Sequence, residues 1–353
     1  MTSLLNRYFS SYFLVAKSEV YLGGRDDIDL SKRVDVLCKI LFILSWLNLC
    51  PNDIGLSCYS KHIHALNGAK GKDSPGKQNI NDYIDSFKAL YNSIRKEFDQ
   101  NKGLIPVDMD KIIIDGSHRV AILMTLEKKI PLLKSYTKRA PCQPFKNLRS
   151  RYSLDSKEYL WVLRSFLRYS PRARLLFMFP ARNNSIDEST ELLTNLYFDV
   201  HASFDLPISS QEMAINIFKC LYSGCDWIGN ANDQFAGALW KSKVTKMEAG
   251  ENLKVKVISP HSLEVSNVES LKTLKEFLRQ PYGIKFHSLH TTDSLEENIR
   301  FFDYFLLGNG SKFEYSSGYE LTLSHLEPLQ KEFIHQLTKL SLDKREQILI
   351  SGG

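Results

Sequence analysis

Asp115-Gly116-Ser117-His118-Arg119 places a carboxylate, a glycine, a hydroxyl, an imidazole and a guanidinium in five consecutive positions. Ile112-Ile113-Ile114 before it reads as an apolar strand and Val120–Leu126 after it as a helix, so the five residues fall on a strand-to-helix turn. That geometry suits a phosphate: free backbone N–H groups at a helix start, the positive end of its dipole, and the adjacent His118 and Arg119 together hold an anion. The same residues also suit a plain glycine turn capped by Asp115, with Arg119 on the surface.

Upstream, Gly23-Gly24-Arg25-Asp26-Asp27-Ile28-Asp29 gathers three carboxylates beside an Arg. Phosphoryl transfer needs a carboxylate to orient the attacking hydroxyl or hold Mg²⁺, and a cation to neutralise charge on the equatorial oxygens. Arg25 with Asp26, Asp27 or Asp29 supplies both, with Glu19 as another candidate base; a solvated turn with a helix cap is the competing reading. His62 and His64 alternate as on a strand or fall on adjacent helix faces. With no third ligand nearby, metal binding is the least favoured reading, behind ordinary partly buried histidines and recognition of an acceptor or phosphate. Gly71–Gln78 approaches Walker A spacing, but Gln78 stands where Ser or Thr must touch Mg²⁺ and no strand precedes it, so it reads as a loop closing over a nucleotide.

In the second half, His287 to Thr291 reads as a strand, and Thr292/Asp293/Ser294 with Glu297 as a capping box opening the next helix. His290 then lies at a strand's carboxyl end, where open α/β sheets place ligands, with Arg182 in the equivalent position after strand Leu175–Phe179. Cys225–Asn230, with Trp227 as an aromatic wall or a core residue, and Lys241, Lys243 and Lys246 complete a candidate pocket.

These residues need elements to position them. Ile80, Ile84, Phe87, Leu90, Tyr91 and Ile94 recur at helical spacing, and Ile105-Pro106-Val107 follows as a short strand, joined by a turn at Asp108–Lys111 to the Ile112–Ile114 strand. The order helix, IPV strand, hairpin, III strand, DGSHR helix resembles the core of the ParB/sulfiredoxin-like superfamily over about residues 78–126, including Ser93-Ile94 at the helix end and Pro106 in the strand. DGSHR is most similar to the DGHHR signature of the free-serine-kinase branch, with Ser117 in place of the first His. The resemblance implies that Gly116, Ser117, His118 and Arg119 grip the phosphates of ATP or ADP, with an acidic residue, Asp115, Asp27 or Asp29, acting toward an acceptor hydroxyl. The turn lacks the second Arg of the ParB clamp and the Cys of sulfiredoxin. The second half bears a faint likeness to proteins of bacterial surface-polysaccharide loci, which implies a sugar, polyol or similar acceptor recognised there.

The 353 residues suggest about two domains. The expected organisation is a ParB-like α+β nucleotide-binding domain over 1–135, a basic connector over 136–151, an α/β second domain over 152–325 and a helical tail over 326–353. Strands at Leu175–Phe179, Tyr197–Phe204, Lys254–Ile258 and Lys285–Thr291 alternate with helices at Gln211–Tyr222, Glu269–Arg279 and Leu295–Leu307, giving an α/β class overall. A net charge of +6 and 24% charged residues exclude disorder and disfavour a dedicated nucleic-acid binder. The longest apolar run, Val36–Cys50, contains Lys39 and falls short of the roughly 20 residues a bilayer requires, so it reads as a buried helix. Six Cys without a CxxC pair and no evident signal peptide point to reduced thiols and a cytoplasmic location. The expected activity is therefore transfer of a phosphoryl group from ATP or ADP with Mg²⁺ to a small-molecule hydroxyl. A ParB-like nucleotide- or DNA-binding regulator and a nucleotidyl- or glycosyltransferase are the alternatives.

Overall fold

Twelve of the thirteen residues of α1 (Val34–Trp46) are buried. A helix apolar on every side belongs at the centre of a fold. In a computed structural model describing residues 19–67, 77, 79–98, 103–136, 140–145, 148–180, 194–195, 197–261, 272, 275–276 and 288–308, α1 is that centre. Helix α2 (Asn52–Asn67) packs along it. Residues 62 and 64 are therefore helical, with His62 buried and His64 on the exposed side. Helix α3 (Ile80–Lys96) starts where Asn79 accepts the N–H groups of Asn81 and Asp82; of the expected stripe it buries Phe87, Tyr91 and Ile94, joined by Tyr83, while Ile80, Ile84 and Leu90 are half-buried at the edge of the core.

A three-stranded mixed sheet completes the first half, with β1 (Glu19–Gly23) antiparallel and β2 (Ile105–Val107) parallel to the central β3 (Ile130–Lys134). The parallel β2–β3 pair requires a crossover, supplied by α4 (Ser117–Thr125). The expected III strand is a correction: Ile112–Ile114 makes only an isolated bridge, Ile113 to Val107. Ile114 N–H still donates to Pro106 O, at 2.8 Å, and Asp108 N–H to Ile112 O, at 3.0 Å. The Asp108 carboxylate accepts from the N–H groups of Asp110 and Ile112, holding a hairpin too tight to extend the ladder.

The second half contains α5 (Leu148–Tyr152), α6 (Ser156–Tyr169), β4 (Arg174–Met178), β5 (Phe198–Pro207), α7 (Gln211–Leu221), α8 (Ala236–Val244), β6 (Asn252–Pro260), β7 (Leu289–Thr291) and α9 (Leu295–Phe301). Residues Phe302–Leu307 continue α9 as a π-helical turn, so the Leu295–Leu307 helix changes its hydrogen-bond pattern midway. The sheet order is β5-β6-β4-β7 and every pairing is antiparallel. This corrects the equivalence drawn between His290 and Arg182: antiparallel β4 and β7 have their carboxyl ends at opposite ends of the sheet, and the chain leaves β4 beside Ser288, where β7 begins. Arg182 itself, the Glu269–Arg279 helix apart from residues 272, 275 and 276, the loop at 71–76 and the tail lie outside the described residues.

The chain is of the α/β class. Helix α6 packs on α1 and α2, and one hydrophobic cluster runs through both halves. Glu158 of α6 reaches Lys61 at 2.7 Å and Ser57 at 2.5 Å on α2. Among the described residues no helix is long and apolar enough to cross a membrane.

Candidate functional site

Gly116 caps α4 in the left-handed region, φ 85° and ψ 22°, which glycine adopts without strain. It offers no side chain, so no capping hydrogen bond occupies the N–H groups of the first turn, and the earliest helical bond runs from Val120 N–H to Gly116 O. The Arg119 guanidinium folds back over this turn: a Cβ at Gly116 would stand 2.9 Å from its Nη2. Its Nη1 donates to Leu104 O at 3.4 Å. Burial lowers its pKa while Asp115 opposes that shift. Asp115 is exposed at the mouth of the turn. Backbone donors, a helix dipole and a guanidinium thus converge at one point.

His118 is turned inward. Its Nε2 stands 3.1 Å from the Tyr59 hydroxyl, and its ring meets the edges of Tyr59 and Phe87. Burial, then the charge of Lys39, push its pKa well below the usual histidine value, so the ring is neutral at pH 7. Arg119 is therefore the cation of the turn. Behind His118 lies a buried ionic cluster. Arg33 grips Asp35 with two hydrogen bonds, of 2.7 and 2.9 Å, and also donates to Ile113 O in the hairpin leading to the turn. Lys39, one helical turn on from Asp35, donates at 2.9 Å to Asp35 Oδ2, the oxygen Arg33 Nη2 also reaches, and stands 3.1 Å from His62 Nε2. Burial alone would raise the Asp35 pKa, but Lys39 and Arg33 outweigh it and hold the carboxyl well below the usual range. An ammonium only donates, so His62 Nε2 accepts and Nδ1 carries the hydrogen; that buried Nδ1 has no hydrogen-bond partner among the described residues. Two buried cations thus face one buried carboxylate.

The upstream carboxylates do local work. Asp27 accepts from Gly24 N–H at 2.9 Å and from Lys111 Nζ at 3.2 Å. Asp29 accepts from Ser31 N–H at 2.9 Å and Ser31 Oγ at 2.6 Å. Both flank the hairpin, since Asp29 N–H also donates to Lys111 O. Arg25 goes to the far end of α4, where it reaches Met124 O at 3.3 Å and Glu127 at 3.1 Å and lies over Tyr169. A nine-residue helix is about 13 Å long, so Arg25 and the Gly116 turn sit at opposite poles of it.

In the second half His290 joins two other side chains: Nε2 stands 2.7 Å from Glu297 Oε1 and Nδ1 3.3 Å from the Tyr222 hydroxyl. Ser294 caps α9 by accepting the Glu297 N–H, but the expected capping box does not close: the Glu297 carboxylate takes the N–H of Asp293, at 2.8 Å, one residue before the cap, and shares itself with His290. Trp227 stacks edgewise on Tyr222 and is 44% exposed, while the Lys241 ammonium lies 5.9 Å from the Tyr222 ring. The structure thus gathers His290, Trp227 and Lys241 around Tyr222.

Sequence reasoning passed over Arg33, Asp35 and Tyr59 as site residues and read Lys39 only as a charge inside an apolar run. The available signal was Asp35 and Lys39 four apart in a helix that is otherwise apolar, a spacing that places an ion pair in the core. The chain matches no known protein family, no curated protein and no solved structure.

Proposed function

We propose that this chain is a nucleotide-dependent phosphotransferase whose phosphate seat is the Gly116–Arg119 turn, acting on a hydroxyl of a small molecule. The observation that carries the reading is the uncapped start of α4, with Arg119 folded over Gly116 and a buried excess of positive charge behind. The N–H groups of Ser117, His118 and Arg119 would bind phosphate oxygens, and the guanidinium would offset charge as the terminal phosphoryl group moves. Asp115 is the carboxylate at the mouth. Asp27 and Asp29, already committed to N–H groups nearby, hold the hairpin that presents the turn.

Among the described residues no three His, Cys, Asp or Glu side chains cluster to hold a metal. Mg²⁺ commonly rides on substrate phosphates with one carboxylate and several waters, and Asp115 would be that carboxylate. The metal would neutralise phosphate charge. The acceptor class implied by the second half is a sugar, polyol or amino acid, and the cytoplasm, where ATP and ADP are abundant, is the proposed location.

Incubation with Mg-ATP or Mg-ADP and a panel of such acceptors is expected to give a phosphorylated product, abolished by Asp115→Asn in a variant that still melts like the parent. Tight duplex-DNA binding with a steep salt dependence and no small-molecule product would replace this reading with the regulator.

A further inference from the structure

Strand β5 carries a bulge between Val200 and Ala202, which leaves His201 without a partner in the ladder. A bulge re-aims the side chain it carries. His201 Nε2 here stands 2.9 Å from Ser259 Oγ on the neighbouring strand β6. Two rings fix the imidazole, Phe145 and Phe166, with centroids 5.2 and 4.9 Å away, and the Tyr159 hydroxyl holds the backbone at the bulge by donating to the His201 carbonyl at 3.1 Å. Asp199 is the ladder partner of Ser259, and its carboxylate accepts from Lys32 Nζ at 2.9 Å and lies 3.4 Å from His261 Nε2. Ser259 is itself buried, while Asp199, Lys32 and His261 are each about a third or more exposed and form a polar rim beside it.

We propose that Ser259 and His201 are the nucleophile and general base of an acyl-transfer site, separate from the Gly116 turn, that accepts esters of small polar acyl groups. A hydroxyl held within hydrogen-bond reach of an oriented imidazole is the arrangement by which serine is activated. As Ser259 Oγ bonds to the ester carbonyl carbon, its proton passes to His201 Nε2 and the carbonyl electron pair moves to oxygen. Lys32, held by Asp199 across the ladder from Ser259, is the cation of the rim. The oxyanion collapses, the C–O bond to the alcohol breaks, and the departing alkoxide takes the proton from His201. Water, deprotonated by the same nitrogen, then cleaves the acyl-serine. Burial lowers the His201 pKa to about 4, with Asp199 and Asp29 opposing and Lys32 reinforcing, so the base is unprotonated throughout the neutral range. The charged rim of Lys32, Asp199 and His261 disfavours long apolar acyl chains.

The test is to treat the full chain with a small fluorophosphonate and map the adduct by peptide mass, alongside p-nitrophenyl acetate hydrolysis. One adduct on Ser259 is expected, absent in Ser259→Ala, formed at least tenfold more slowly in His201→Gln, with hydrolysis constant from pH 5 to 8. An unmodified Ser259 in the folded parent protein, or an undiminished labelling rate in His201→Gln, overturns the proposal and leaves the contact a structural hydrogen bond. The labelling map on the parent decides the matter even if a variant fails to fold. None of these outcomes bears on nucleotide binding at the Gly116 turn.

Discussion

Arg119 and Gly116 form one device at the residue scale. The guanidinium lies where any Cβ at position 116 would press on it, and the backbone there has positive φ. Arg119→Ala is expected to weaken nucleotide binding by about 1.5–3 kcal/mol, the range for a charge-assisted hydrogen bond, while the protein stays folded. Isothermal calorimetry with ATP and ADP measures this. An unchanged affinity accompanied by a lost melting transition would assign Arg119 to the fold.

At the scale of elements, the distance from Lys39 to His62 depends on how closely α1 and α2 approach. Gly55 sets that approach, because a Cβ there would come within 2.4 Å of Leu41 O and 2.1 Å of Ser45 Oγ. Backbone cannot rotate out of the way as a side chain can. Gly55→Ala therefore should force the helices apart at a cost of about 1–3 kcal/mol, the usual range for overpacking, read as a lower urea midpoint. A midpoint equal to the parent's would show that the crossing has slack. The same displacement should lengthen the contact between Lys39 and His62 on facing helices.

For the whole molecule, pH dependence follows from histidines kept neutral inside. Burial depresses the pKa of His62 and His118 well below the usual value, and that of His201 to about 4. Below about pH 6.5 the unfolded chain binds protons at these sites that the folded chain refuses, so stability falls as pH drops, by up to about 1.4 kcal/mol per unit for each histidine. Asp35 has the opposite charge type and a depressed pKa, so its contribution is present above about pH 4 and is lost only as pH falls through its folded value. Denaturant titrations at pH 7.5, 6.0 and 5.0 should show a steady loss of stability. Equal stabilities across that range would mean that the three rings take up protons in the folded state.

Local pattern suffices for several parts of this protein. The α3 helix follows from three- and four-residue spacing and α1 from an apolar run that only a central helix can bury, whereas α4 starts at Ser117, three residues before the expected Val120. Both α3 and α1 are governed by residues within a few positions of one another. The sites depend on contacts across the chain. Nothing local indicates that His118 faces Tyr59, that Arg25 reaches the far pole of α4, or that His201 meets Ser259 across a bulge, since the partners stand 59, 99 and 58 positions apart. The III run illustrates the boundary: its composition favours a strand, but the carboxylate of Asp108 closes the hairpin so tightly that one bridge remains. Strand direction in the second sheet is likewise a tertiary matter, because alternating helices and strands suit either direction, and only the pairing of β4 with β6 and β7 makes it antiparallel.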